Sequence, residues 1–505
     1  MSKPELISFL NPQGNFDPND SYWTEHPDFG GQLVYVKEVC LALAEEFDIQ
    51  VDIVTRQIKD EQWPEFARKF DSYASSDKVR IIRVPFGGDK FLNKEKLWPH
   101  LTEYVDNVIE FYQSEGKMPD IATTHYGDGG LAGAMLQERT EIPFTFTGHS
   151  LGAQKMDKFA IDEDSIQELN DRFKFHRRIM AERIAMNNSA TNFVSTKQEQ
   201  LEQYSHRAYQ DAIDVKENDK FAVVPPGANT DIFNPDRANK TEEKIQQKIK
   251  RVFARDLDQD RRELPAILAA SRLDHKKNHL GLVEAFAESE ELQKQGNLVI
   301  TLRGIDNPFE DYSAASGEEK EILDKIMDLI EQYDLQGKVS MFSLASQLEL
   351  AACYRTLAQY QSVFALTAFY EPFGLAPIEA MAAGLPAVVT QNGGPSEIMR
   401  EADNKFGILV DPEDRADIAA GLLKVVGQSE TWQEYRTAGM KRVEEKYTWE
   451  STAQGYLAQL EKIINNKEKY VPQAKERLEI PEYFATGNRD KDISLGRLKE
   501  LYLVE

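Results

Sequence analysis

The segment FYEPFGLAPIEAMAAG, residues 369–384, stands between two short apolar runs, SVFALT (362–367) and PAVVT (386–390). Runs this short and this uniformly apolar fit strands buried on both faces of a parallel sheet. The helix between them is predicted to start near Leu375, with Pro377 in its first turn where a missing N–H costs little. It is expected to stop at Gly384. The amides of Gly374 and Leu375 then open a helix beyond the strand ends, a seat suited to a diphosphate. Glu371 falls in the loop and Glu379 one to two turns into the helix. One carboxylate suits sugar hydroxyls, and the other suits the paired hydroxyls of a ribose. Taken alone, such a pair also fits a helix cap and a solvent-facing side chain.

The same alternation of short strands and longer amphipathic stretches runs through nearly the whole chain. Strands are predicted at 7–10, 51–55, 79–85, 121–124, 144–147, 192–196 and 221–224, then at 266–270, 298–302, 339–342, 363–366, 387–390 and 407–410. The series breaks once, at VVPPG (223–227), where a stop is followed by a Lys/Glu-rich stretch read as a solvated linker helix. A chain of 505 residues is too long for one compact core. The expected architecture is α/β, with two doubly wound Rossmann-like domains and an interdomain cleft. The predicted boundaries are 1–228, 229–446, and a helical tail at 447–505 that crosses back to the N-terminal domain. In such sheets, ligands sit beyond the carboxyl ends of the strands.

Composition narrows the function. Lys plus Arg is 60 and Asp plus Glu is 85, a net charge of −25. That excess of acid argues against nucleic acid as a partner, because phosphate backbones reward clustered cations. An anionic substrate then needs a local basic pocket. The two cysteines, Cys40 and Cys353, lie in apolar helical patterns and read as buried thiols of a reducing cytoplasm. No signal-type core and no run of roughly 20 apolar residues is present, so no membrane association is expected.

One such basic cluster is SRLDHKKN (271–278), at the end of the first strand of the second half. Arg272 and Lys277 are placed to converge on a diphosphate and to neutralise a departing anion, as a metal does elsewhere. Arg272 and Lys277 with Glu371 and Glu379 resemble the donor-site signature of retaining glycosyltransferases with the GT-B fold. The resemblance implies that Arg272 and Lys277 hold the diphosphate, Glu371 the glucose and Glu379 the ribose of a nucleotide sugar. Phe373, Gly374 and Leu375 would complete the donor seat, with no metal or cofactor. NGGPSE (392–397) is implied as a supporting loop.

In the first half, NPQGN (11–15) follows the opening strand, and DFGGQ (28–32) precedes a helical pattern running from Leu33 to Leu43. Gly30 and Gly31 offer open amides there, and Gln32 adds a polar tip. GGDK (87–90), HYGDGG (125–130), GHS (148–150), Lys155 and the basic RFKFHRR (172–178) supply further candidates. Together WTEHPDFGGQLVYVKEV, PFGGDKF, THYGDGGLAG, FTGHSLGAQKM and RFKFHRR resemble bacterial sucrose-phosphate synthases, over about residues 5–460. That resemblance implies glucose transfer from UDP-glucose or ADP-glucose to fructose 6-phosphate. Gly30, Gly31, Gln32, Lys90, Ser150, Lys155 and Arg177 or Arg178 would hold the acceptor, with His149 beside the reacting centre. The chain lacks the Asp-x-Asp-x-Thr phosphatase module of some relatives, so a separate sucrose-phosphate phosphatase is expected as a functional partner.

Rival readings have specific weaknesses. GHSLG (148–152) matches a serine-esterase elbow, with His206, His275 or His279 as possible bases, but a charged continuation follows it. GDGGLA (127–132) fits a dinucleotide pattern without the acidic residue expected after the next strand. Asp-x-Asp occurs only in charged stretches away from strand ends, which gives a metal-dependent transferase no support. No Gly-x4-Gly-Lys-Ser/Thr is present. A silent sugar-phosphate sensor would not need Arg272, Lys277 and Glu371. A sucrose synthase would take free fructose, whereas Lys90, Lys155 and the Arg177/Arg178 pair favour a phosphorylated acceptor.

Overall fold

The computed structural model describes residues 2–22, 30–236 and 240–503. The chain divides into two compact units, Met1–Pro225 with Thr452–Glu505, and Pro226–Ser451.

The first unit is built on eight strands: β1 (Leu6–Leu10), β2 (Gln50–Arg56), β3 (Phe70–Ser72), β4 (Val79–Val84), β5 (Ile121–His125), β6 (Phe144–Thr147), β7 (Thr191–Val194) and β8 (Phe221–Val223). Their spatial order is β3-β4-β2-β1-β5-β6-β7-β8. Every pair is parallel except β3 with β4. Strand β1 is buried at all five positions because helices cover both sheet faces. Ile7 pairs with Val51 on one side and Ile121 on the other, so the winding reverses between β1 and β5. That reversal opens a crevice at the strand ends.

Close helix packing shapes the crevice. The helix Tyr126–Thr140 follows β5 directly. A Cβ on Gly129 would lie 2.9 Å from the Leu10 carbonyl oxygen, and one on Gly130 would lie 2.4 Å from the Ala185 Cβ. The glycines of GDGGLA thus let this helix press onto the sheet and onto the helix Phe175–Asn188. The C-terminal segment belongs to the same body. Tyr456 stacks on Phe193 at 4.0 Å and bonds to the Tyr35 hydroxyl at 3.1 Å. Phe484 packs on Trp98, and Tyr502 bonds Asp157.

The second unit carries β9 (Ala266–Ala269), β10 (Asn297–Leu302), β11 (Val339–Ser343), β12 (Val363–Leu366), β13 (Ala387–Thr390), the small hairpin β14 (Arg400–Glu401) and β15 (Asn404–Lys405), and β16 (Ile408–Val410). The parallel sheet runs β11-β10-β9-β12-β13-β16, with its reversal between β9 and β12. The helix Lys240–Asp256 corrects the expectation of a solvated linker. Its Ile245, Ile249, Val252 and Phe253 are buried in a cluster with Tyr354 and Leu357. Their helical spacing was hidden among lysines and glutamates. Cys40 and Cys353 are buried free thiols. Among the described residues, no helix is long and apolar enough to cross a membrane.

Candidate functional site

Each unit has a constellation at its own strand reversal. In the first unit, a cavity of about 340 Å³ lies beyond β1 and β5. Gln13, from the loop after β1, and Tyr126 and Asp128, from the helix after β5, form part of its wall. Gly30, Gly31 and Gln32 border it at the start of the helix Gly31–Phe47. A Cβ on either glycine would meet nothing within 4 Å among the described residues, so no packing contact among them demands glycine at either position. Gln32 is oriented by its amide, which donates to Asn11 Oδ1 at 2.9 Å. Asp28 and Phe29 of the same motif lie outside the described residues.

Three cations face this cavity: Lys94, Lys155 and Arg178. Burial, with Arg178 and Lys94 nearby, pushes the Lys155 ammonium down to about 8. Its Nζ lies 3.8 Å from the Phe173 ring centroid. Arg178 is fixed from behind. Its Nε donates to the buried Glu182 at 2.9 Å, and its Nη2 donates to the Ser150 carbonyl. Burial works against the Arg178 charge, but Glu182, helped by Tyr209 and Tyr126, holds the pKa above the ordinary arginine value. Asp128 is the opposite case: it is buried, its Oδ2 has no partner among the described residues, and burial raises the carboxyl to about 7. A protonated carboxyl both donates and accepts, which suits a sugar hydroxyl.

Not every expected residue joins them. Lys90 is exposed, pairs with Asp60 at 3.3 Å and does not line the cavity. Arg177 turns to the C-terminal segment, binding Asp492 and lying 4.7 Å from the Tyr483 ring centroid. Lys94, four residues beyond Lys90, lines the cavity instead. No motif marked it: it sits in the turn Lys94–Lys96, beyond the glycines that drew attention to GGDK.

Ser150 lines the cavity, yet among the described residues its hydroxyl has no histidine in hydrogen-bonding reach. His206 is engaged with Asp157 and the Ala208 amide, and His275 and His279 belong to the second unit. The left-handed residue of the GHSLG turn is His149, at φ 52°, where an esterase elbow would strain the serine. The His149 ring is partly exposed and borders Tyr35, Tyr126 and His125.

In the second unit, the loops after β9 and β12 come together, tied by the Phe369 amide donating to the Lys276 carbonyl at 2.9 Å. Asp274 caps the short turn His275–Lys277 through the Lys277 amide. Lys277 Nζ reaches Glu371 Oε2 at 2.6 Å. Arg272 is largely exposed, 3.9 Å from Asp274. Glu371 is braced from β13. Its amide donates to the Asn392 carbonyl at 3.2 Å, and its carbonyl accepts from the Gly394 amide at 3.0 Å. Gly393 has φ +93°, and a Cβ there would lie 2.1 Å from the Glu371 carbonyl oxygen, so only glycine permits this brace.

The helix Leu375–Ala382 begins after Gly374, at φ 112°, with no side chain capping it and Pro377 in its first turn. Phe373 enters this turn beside the Tyr447 ring, and Leu375 is exposed at the helix start. Glu379 is half-buried, and burial raises its carboxyl to about 8. A carboxyl whose charged form burial disfavours gains from a ligand that brings it hydrogen-bond donors.

Comparison with known proteins fits both halves. Residues 255–442 match the glycosyl transferases group 1 family, and residues 6–253 match the first GT-B domain of sucrose synthase. A probable sucrose-phosphate synthase of Thermosipho melanesiensis is 45% identical over 458 residues, covering 90% of this chain and 96% of that one. Another, from Beta vulgaris, is 32% identical over 531 residues, covering 93% of this chain and 50% of its own length. The chain thus spans about half the length of that plant relative. The solved structure of a sucrose-phosphate synthase from Thermosynechococcus elongatus shares the fold, with a TM-score of 0.62 at 23% identity over 92% of this chain and 100% of that one.

Proposed function

This chain belongs to the sucrose-phosphate synthase family of GT-B glycosyltransferases, and from that premise we propose that it moves glucose from UDP-glucose to fructose 6-phosphate with retention at the anomeric carbon. The products are sucrose 6-phosphate and UDP. The observation that carries the choice of acceptor is the gathering of Lys94, Lys155 and Arg178 around one cavity in a chain of net charge −25. Such local cations recognise a phosphate, and free fructose has no use for three of them. Gly31 and Gln32 border the same space, where the hexose hydroxyls would lie.

The second unit supplies the donor seat. Arg272 and Lys277 take the diphosphate, Glu371 takes glucose hydroxyls and Glu379 takes the ribose. Lys277 is held in place by Glu371 before any ligand arrives, which reduces the ordering cost of binding. As the bond from C1 to the diphosphate oxygen breaks, the two cations neutralise the charge that collects there. The acceptor oxygen bonds to C1 on the face just vacated, and its proton passes to the departing phosphate. No enzyme nucleophile is required. Positioning and electrostatics supply the acceleration.

A nucleotide-release assay pairing UDP-, ADP- and GDP-glucose with fructose and fructose 6-phosphate tests the reading. UDP-glucose with fructose 6-phosphate is expected to turn over fastest. Equal or faster turnover with free fructose would instead favour the sucrose synthase alternative, and faster turnover with ADP-glucose would reassign the donor.

A further inference from the structure

The carboxyl ends of β5 and β6 bring two histidines into direct contact: His125 Nδ1 lies 2.8 Å from His149 Nε2. The ring centroids are 5.0 Å apart, with 24° between the planes. A face-to-face stack would not put the nitrogens on the line of centres. Two rings joined edge to edge by a 2.8 Å bond, each adding about 1.1 Å from centroid to nitrogen, give this separation. The contact is therefore an in-plane N–H···N hydrogen bond.

Both rings are firmly placed. His125 is 1% exposed, with Phe9 lying nearly parallel to it at 5.7 Å. The Tyr35 ring meets His149 edge-on at 5.0 Å, and the Tyr35 hydroxyl is engaged with Tyr456. Burial keeps both imidazoles neutral: it pushes His149 down to about 3 and His125 well below its ordinary value, with His149 adding to the effect on His125. A neutral pair carries one proton on each ring, so one ring donates and the other accepts. Among the described residues, His125 Nε2 is buried without a partner. If His149 were the donor, that nitrogen would carry an orphaned N–H, the costlier and rarer defect. If His125 is the donor, only a lone pair goes unmet.

We infer that His125 is a positioning residue: by donating Nδ1–H to His149 Nε2, it fixes the His149 tautomer so that the ring offers its own Nδ1–H to the sugar substrate. The inference rests on the proposed glucosyl transfer and on the place beside the reacting centre that the resemblance implies for His149. Among the described residues, His149 Nδ1 has no hydrogen-bond partner, so its proton remains available for a ligand. The logic is that of a metal-bound histidine whose far nitrogen is fixed by its neighbour, with a sugar hydroxyl in place of the metal.

The test uses the full chain labelled with ¹⁵N-histidine, with signals assigned by loss in H149Q and H125L. The two-bond ring correlations of wild-type His149 are expected to show the Nδ1–H tautomer, the minor form of free imidazole side chains. An Nε2–H tautomer would overturn the inference, whatever the variants do. In steady-state assays, H125L should lose about 10–100-fold in kcat with little change in the KM for either substrate. H125N, whose Nδ2–H falls where Nδ1–H stood, should recover about tenfold of that loss. Equal kcat for H125N and H125L would also overturn it. A wild-type enzyme that shows the expected tautomer but makes no sucrose phosphate would defeat the functional reading alone.

Discussion

Asp128 offers a sharp test of how the cavity of the first unit is built. Its side chain is buried, Oδ2 has no partner among the described residues, and burial raises its carboxyl from 3.8 to about 7. The Asp128 and Gly129 amides, with Lys94 and Arg178, pull the other way without cancelling that effect. An unfolded chain sheds this proton near pH 4, while the folded chain keeps it until about pH 7. Between those values the folded state binds more protons, so stability falls as pH rises. The gap of 7 − 3.8 corresponds to an upper bound of about 4 kcal/mol above pH 7 and to nothing below pH 4. Roughly 2.6 kcal/mol of that destabilisation accrues between pH 5 and pH 8. Asp128→Asn keeps the shape and has no proton to lose, so its melting temperature should fall less over that interval. At about 2–4 °C per kcal/mol, the difference in calorimetric melts is on the order of 5–10 °C for the transition of the first unit. Parallel pH profiles for the two proteins would refute the reasoning, because they would mean that water or an unseen donor already satisfies the carboxylate.

Other expectations follow from the proposed donor loops and the cavity wall. Lys277→Ala should cut kcat by about 10²–10³ in the nucleotide-release assay, and near-normal turnover would remove that cation from the mechanism. Lys94→Ala should raise the KM for fructose 6-phosphate by about 10–100-fold, the worth of a charge-assisted hydrogen bond, whereas Lys90→Ala should change it little. The reverse ranking would return Lys90 to the pocket. Gly393→Ala forces a Cβ against the Glu371 carbonyl, so titration calorimetry should find donor binding weakened while acceptor binding holds. Unchanged donor affinity would mean that the Asn392–Gly394 brace does not position Glu371.

Where the sequence was informative, one physical signal served each reading. Short uninterrupted apolar runs located the parallel strands of both sheets, because burial on two faces leaves no polar alternation to confuse them. Strand β3 escaped because Phe-Asp-Ser is three residues long with Phe70 and Ser72 exposed, and β14 and β15 escaped because their residues are polar and exposed. The Glu371 loop was legible through its local grammar of Pro, Gly and helix start. Lys94 was not, because a lone lysine in a 3-10 turn carries no local signature, and only the folded chain brings it toward Lys155 and Arg178. Arg177 and Arg178 show the same limit. One residue of rotation along a helix sends one side chain to Asp492 and the other to the cavity, and adjacency in sequence cannot say which.

Glu182 has a consequence for changing the proposed acceptor preference. This one carboxylate, 1% exposed, receives the Arg178 guanidinium, the Gly152 amide at 3.0 Å and the Tyr209 hydroxyl. Exchanging Arg178 for a neutral residue, the obvious step toward an unphosphorylated sugar, would strand a buried anion at a cost of about 3–5 kcal/mol. Neutralising Glu182 alone would loosen the arginine and the turn that carries Ser150. On the role proposed for Arg178, substrate choice and folding are wired to the same oxygen atoms, and a redesign must replace arginine and glutamate together or lose both.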